Sequence, residues 1–99
     1  MYQLIALYDQ PDDPTAFLKH YDEVHLPLVH QTPGLQSAVV KRVLANPMGG
    51  DLPYFLIAEM SFADKASFDA AMASPENRAA GKDLMTFARG KVTLLVAES

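Results

Sequence analysis

The sequence contains no cysteine and no tryptophan, and its eight lysine and arginine residues are not clustered. Without cysteine, disulfides, thiolate nucleophiles and cysteine-ligated metal or iron–sulfur centres are excluded. A net charge of −4 with no basic patch lacks the electrostatic signature of a nucleic-acid-binding protein. There is also no basic-then-apolar leader and no apolar run long enough to span a bilayer, so we expect a cytoplasmic protein without a membrane partner.

Apolar residues, in contrast, make up 49% of the 99 residues, which is high for so short a chain. The length predicts one domain spanning residues 1–99. Apolar runs predict strands at 2–8, 35–44, 54–61 and 92–97. Helical spacing and cap-then-proline starts predict helices from 14 to about 27, from 63 to 73 and from 75 to 88. This order predicts an α+β, ferredoxin-like fold, in which an antiparallel four-stranded sheet carries its helices on one face.

The two strands that this topology places at the sheet centre, 2–8 and 54–61, are apolar at almost every position. Alternation assigns Phe55 and Ile57 to the face opposite Leu56 and Ala58. An antiparallel sheet with one wet face should instead alternate apolar and polar residues. Because the helices of one copy cover only one face, we predict a homodimer that packs sheet against sheet.

The first predicted helix has an apolar stripe and then a proline. His20 and His25 fall on opposite shoulders of the stripe, and His30 falls on the polar side. Pro27 has no N–H to donate to the Glu23 carbonyl, so the helix should kink or end there. The stripe itself consists of Phe17, Tyr21, Val24 and Leu28.

His25 is the leading candidate for a catalytic residue. Tyr21 and Asp22 precede it by four and three residues, so both side chains can reach it on a helix surface. An imidazole that titrates near neutral pH can act as general acid or base on a small substrate, with Tyr21 positioning it or the ligand. The alternative is a structural histidine whose ring nitrogen satisfies a carbonyl freed by Pro27.

Glu59 is the second candidate, because a carboxylate in a central strand is costly unless it is paired. It is predicted either to orient His25 or bind a substrate, or to pair with Lys41, Arg42 or the other subunit.

Three aromatic residues, Tyr8, Phe17 and Tyr54, are predicted to contact a ligand, although such residues often form only core. The three histidines are offset by five residues each, which an ideal helix places on different faces, so no metal site is predicted. The sequence has no glycine-rich phosphate loop and no dinucleotide motif, and no cofactor is predicted.

Four short motifs occur in order along most of the chain: Tyr21-Asp-Glu-Val-His25-Leu-Pro27-Leu28, Pro33-Gly34-Leu35, Ser74-Pro75-Glu76 and Asp83-Leu-Met-Thr-Phe87-Ala88. In this ordered set the sequence resembles the EthD family, named for an ethyl tert-butyl ether degradation cluster. The resemblance implies a dimeric α+β barrel among small relatives that include cofactor-free monooxygenases, polyketide cyclases and muconolactone isomerase. The histidine and the late acid of the motifs fall on His25 and Asp83, so Asp83 is predicted to contact the substrate.

Three functional hypotheses remain open. The first is a cofactor-free oxidoreductase or isomerase that acts on a small hydrophobic or aromatic compound between helices and sheet, with His25 moving protons. The second is a non-catalytic protein that carries or shields a metabolite for a partner oxygenase. The third is a structural dimer without a true pocket.

Overall fold

The computed structural model describes residues 1–99 and contains the predicted order of strands and helices. The strands are β1 (Tyr2–Asp9), β2 (Ser37–Arg42), β3 (Tyr54–Phe62) and β4 (Val92–Glu98). The first helical region consists of α1 (Pro14–His20), a π-helical turn (Tyr21–His25) and α2 (Leu26–His30), and it is followed later by α3 (Lys65–Met72) and α4 (Pro75–Phe87). The second strand is shorter than predicted, since the chain at Leu44 is largely exposed and carries no ladder. None of the helices combines the length and the apolar character needed to cross a membrane.

An N-cap residue precedes each of α1, α3 and α4. Its side chain accepts a hydrogen bond from a backbone N–H of the first turn, which has no partner within the helix. Such a cap contributes about 1 kcal/mol, and two of the three had been predicted from a cap residue followed by proline. The caps and the residues whose amides they accept from are Asp13 with Ala16, Asp64 with Ser67, and Ser74 with Asn77.

The four strands are antiparallel in the order β2-β3-β1-β4, which confirms the ferredoxin-like α+β prediction and the central position of β1 and β3. Tyr8 lies opposite Leu56 and Ala6 lies opposite Ala58, and all four are buried against the helices. This layer between helices and sheet also contains Phe17, Phe68 and Leu84 from α1, α3 and α4. The core therefore lies on one side of the sheet.

The other side, which we call the open face, carries the alternate residues of each strand. Val39 is 45% exposed and Leu95 is 48% exposed on the two edge strands of this face. Its apolar side chains are Ile5, Leu7, Val39, Ile57, Leu95 and Ala97, and polar ones, among them Lys41 and Glu59, lie between them.

The prediction that Phe55 lies on the face opposite Leu56 is wrong. The pairing of β1 with β3 shifts between Tyr8 and Asp9, so that Tyr8 faces Leu56 while Asp9 faces Tyr54. This bulge gives β3 one additional residue and interrupts the alternation of side chains. Phe55 is consequently buried on the helix side, where the centroid of its ring lies 5.6 Å from that of the Phe17 ring.

Candidate functional site

The disruption expected at Pro27 occurs directly before the proline, as the π-helical turn Tyr21–His25. The amide of Leu26 donates to the carbonyl of Tyr21, five residues back, and the helix then continues through Pro27 to His30. A turn closed across five residues places residues five apart on the same face, and such turns often occur at functional sites. His20 and His25 therefore share a face, and the premise that their spacing separates them is wrong for this helix.

The π turn also changes which side chains are buried. Tyr21, His25 and Val29 follow Phe17 at intervals of four residues, and all four are buried. Val24, which the predicted stripe places in the core, is 42% exposed. The helix carries His25 into the protein interior in the position that an uninterrupted helix would give to Val24.

Both histidines meet the carboxylate of Asp83 on α4. His20 Nε2 lies 2.9 Å from Asp83 Oδ1 and 3.1 Å from Oδ2, and His25 Nδ1 lies 3.0 Å from Oδ2. The side chains of His25 and Asp83 are only 6% and 12% exposed, whereas that of His20 is 33% exposed. One carboxylate thus holds a buried imidazole on its inner side and a half-exposed imidazole on its outer side.

Burial lowers the pKa of His25, and this effect outweighs the opposite effect of its hydrogen bond and charge interaction with Asp83. Burial alone would raise the pKa of Asp83, but the hydrogen bonds from His20 and His25 hold it below its ordinary value. At neutral pH the site therefore contains a neutral His25 and an ionised Asp83. Because an ionised carboxylate only accepts hydrogen bonds, the proton of His25 is on Nδ1 and the lone pair is on Nε2.

His25 lines a cavity of about 170 Å³ between the helices and the sheet. Of its 15 lining residues, 11 are hydrophobic, so a ligand that enters it must be largely apolar. Besides His25, the cavity presents the polar side chains of Thr32 and Asn77. The apolar part of the wall comes from β1, β3, β4, α3, α4 and the segment around α2, and includes Leu4, Ala6, Tyr8, Val29, Met60, Phe62, Met72, Leu84 and Leu94.

Tyr21 packs against both Tyr8 and His25 but is not part of the cavity wall. The rings of Tyr8 and Tyr21 meet edge to face with centroids 5.6 Å apart, and the rings of Tyr21 and His25 are 5.4 Å apart. Burial raises the pKa of Tyr8, and the neighbouring Tyr21 raises it further. Burial also raises the pKa of Tyr21 to about 12. Both phenols are thus protonated at physiological pH, and Tyr8 lines the cavity.

With this geometry, comparison with known proteins gives the family. The sequence model of the EthD domain matches residues 10–91 of the chain. The chain belongs to the EthD family. A crystal structure of an EthD family protein from Bacillus halodurans is 42% identical to it, with a TM-score of 0.95 over 100% of this chain and 98% of that chain.

Two further proteins are similar to this EthD protein, one in sequence and one in structure. An uncharacterized 11.0 kDa protein from the thcB–thcC intergenic region of Rhodococcus erythropolis is 38% identical over 99% of this chain and 94% of its own length. A dimeric ferredoxin-like protein from Thermobifida fusca has a TM-score of 0.72 at 15% identity, covering 99% of this chain and 90% of that chain. The latter likeness shows the fold alone.

The structure of this EthD protein does not bring Glu59 to the site. Glu59 pairs with Ile5 across the ladder and lies on the open face, so the sheet separates it from His25. Its carboxylate is 2.9 Å from Lys41 Nζ on the neighbouring strand, which is the pairing predicted as the alternative. The prediction that Glu59 orients His25 is therefore wrong. Asp22, also considered as a neighbour of His25, is exposed on the helix surface.

Two of the predicted ligand-contacting aromatics lie outside the cavity. Phe17 packs against the rings of Tyr8, Tyr21 and Phe55 and lines a separate outer hollow. Tyr54 lies at the start of β3 and is not part of the cavity wall.

Sequence reasoning missed His20 and Phe87 as members of the site. The Phe87 ring lies 4.8 Å from that of His20 and 5.0 Å from that of His25, so it contacts both imidazoles. The available signal for His20 was its offset of five from His25 immediately before Pro27, which is meaningful only if a π turn is considered. No group of three or more histidine or acidic residues is arranged to hold a metal ion.

Proposed function

We propose that this EthD protein binds a small hydrophobic or aromatic compound in its cavity and that His25 acts on it as a general base. The observation that carries the proposal is a neutral imidazole at the edge of an apolar cavity, with Nδ1 held by Asp83 and Nε2 left for a ligand. Asp83 fixes the ring and its tautomer and stabilises the imidazolium formed after proton transfer. In this role Asp83 is a positioning residue.

The size of the cavity supports a ligand with one ring. An engineered apolar cavity of about 150 Å³ accommodates benzene, and the cavity here measures about 170 Å³. A monocyclic compound with one polar substituent would fill it, with Thr32 and Asn77 available to hydrogen-bond the substituent. Tyr8 and Phe62 contribute the aromatic part of the wall.

Removal of a proton from such a compound gives an anion that can react further in two ways. His25 can return the proton to a different carbon, which is an isomerisation. The anion can instead react with molecular oxygen, which is the oxidoreductase reaction expected from the cofactor-free relatives. General-base catalysis of this kind contributes about 10²- to 10⁴-fold to the rate.

Acetophenone is a suitable probe, because it has one ring, one carbonyl and a methyl group whose protons exchange slowly with solvent. We expect the protein to accelerate exchange of these methyl protons with deuterium in D₂O, measured by proton NMR, and His25→Gln to reduce that acceleration by about 10²-fold or more. His30→Gln is the matched control, since His30 is exposed on the same helical region.

Equal exchange rates for the wild type and a folded His25→Gln variant would contradict the general-base role. Binding of acetophenone without exchange, seen as shifts of cavity resonances, would favour the second candidate function, a non-catalytic metabolite-binding protein for an oxygenase. The predominance of apolar residues in the cavity wall supports that candidate equally well.

We further propose that two copies form a homodimer through the open face. The apolar residues on that face support this, as does the description of the Thermobifida fusca neighbour as dimeric. The helix side, with the cavity and His25, would remain accessible in such a dimer.

A further inference from the structure

His20 occupies a position that the general-base role of His25 does not explain. It donates Nε2–H to the same carboxylate that holds His25, but it lines a second hollow, on the outer side of Phe87. The cavity wall includes His25 and the outer hollow includes His20, and Asp83 connects the two.

Building on the proposed function, we propose that His20 is a positioning residue that acts through Asp83 and sets how readily His25 accepts a proton from a ligand. One carboxylate carries one negative charge, so it can balance one imidazolium but not two. When His20 is protonated it neutralises Asp83, and a proton on His25 is then poorly compensated. When His20 is neutral, the full charge of Asp83 is available to His25.

The two histidines have different surroundings. His25 contacts Asp83, Tyr21 and Phe87, and its side chain is 6% exposed. The side chain of His20 is 33% exposed, and four other charged residues line the same outer hollow. These are Asp9, Asp12, Asp13 and Lys91, with Lys91 Nζ 3.7 Å from Asp12. His20 is therefore the member of the pair that faces solvent, and it lies outside the cavity.

Replacement of His20 by glutamine tests the effect of the His20 charge apart from that of its hydrogen bond to Asp83. A glutamine amide can still donate to Asp83 but is never positive, so His20→Gln preserves the anchor and removes the competing charge. We expect the titration midpoint of His25, followed by ¹H–¹⁵N NMR of the imidazoles, to rise by about 0.5 to 1 pH unit, a roughly 3- to 10-fold gain in proton affinity. His20→Asn provides a second uncharged donor, and His30→Gln is the control that should leave the midpoint unchanged.

An unchanged His25 midpoint in both folded His20 variants would overturn the proposal, as would an equal rise in His30→Gln. A purely structural role of His20 would disturb the fold or the ring position of His25 without moving its midpoint upward. The measurement needs no ligand, so its failure removes the coupling alone. Absence of acetophenone binding and exchange, in contrast, would overturn the proposed function alone.

Discussion

At the scale of single residues, burial and the Asp83 carboxylate act on His25 in opposite directions, and burial is the larger effect. The folded protein therefore holds His25 neutral under conditions in which the unfolded chain protonates it. The hydrogen bonds that Asp83 accepts from His20 and His25 lower its pKa, so it stays ionised at a lower pH than an isolated aspartate. Proton uptake at either group favours the unfolded state, because in both cases the unfolded chain binds the proton more tightly.

We expect the free energy of unfolding to fall as pH decreases below about 6.5, the ordinary pKa of histidine, through the lowered pKa of His25. For one proton the slope cannot exceed about 1.4 kcal/mol per pH unit. Asp83 adds a second loss at lower pH, where pH falls below 3.8 and through its lowered pKa. Urea unfolding between pH 7.5 and 5 should show the first slope in the wild type and in His30→Gln, and lose it in His25→Gln. An equal slope in His25→Gln would show that another group is responsible.

Only part of this site could be predicted from the sequence. His25 was predicted from its place beside an apolar stripe and a proline, and Asp83 came only from resemblance to a family. The two are 58 residues apart, so no local pattern links them. Glu59 was considered as a partner acid because a carboxylate in a central strand needs a partner, and Lys41, one of the alternatives, provides that partner on the other face.

At the scale of elements, the π turn determines which side of the first helical region is buried. Pro27 removes one backbone donor, and the helix responds in the turn before it rather than by ending. Helical spacing alone assumes 3.6 residues per turn throughout, so it places Val24 inward and Val29 off the apolar stripe. The bulge at the pairing of Tyr8 and Asp9 has the same effect on β3, where it brings Phe55 into the core.

Two alanine substitutions test the π turn directly. Val29 is 7% exposed and contacts the core, so Val29→Ala should lower the free energy of unfolding by about 1–2 kcal/mol. Val24 is 42% exposed, and Val24→Ala should change it by no more than about 0.5 kcal/mol, since alanine also favours the helix. Urea unfolding of both variants measures the difference. An uninterrupted helix would give the opposite ranking.

At the scale of the whole molecule, the fold was predictable because each element carries its own signal. Cap residues and prolines mark the helix starts, apolar runs mark the strands, and their order along the chain permits few topologies. The sheet order β2-β3-β1-β4 then follows, with the most apolar strands at its centre. The element boundaries and the side-chain directions at the π turn and the bulge depend on backbone hydrogen bonds in the folded protein. The periodicity of apolar residues in the sequence carries no information about those hydrogen bonds.

The open face gives the last prediction, because a stable dimer buries about 800 Å² per partner and that face offers apolar side chains across all four strands. Leu95 is 48% exposed in one copy, so Leu95→Lys should leave the monomer folded but place a charge in the dimer interface. Light scattering after size exclusion should give about twice the 10.8 kDa chain mass for the wild type and the single-chain mass for Leu95→Lys. Val24→Lys, which changes an apolar residue of similar exposure (42%) on the helix surface, should remain dimeric. A monomeric wild type, or a dimer that Leu95→Lys leaves intact, would mean that the open face is not the interface.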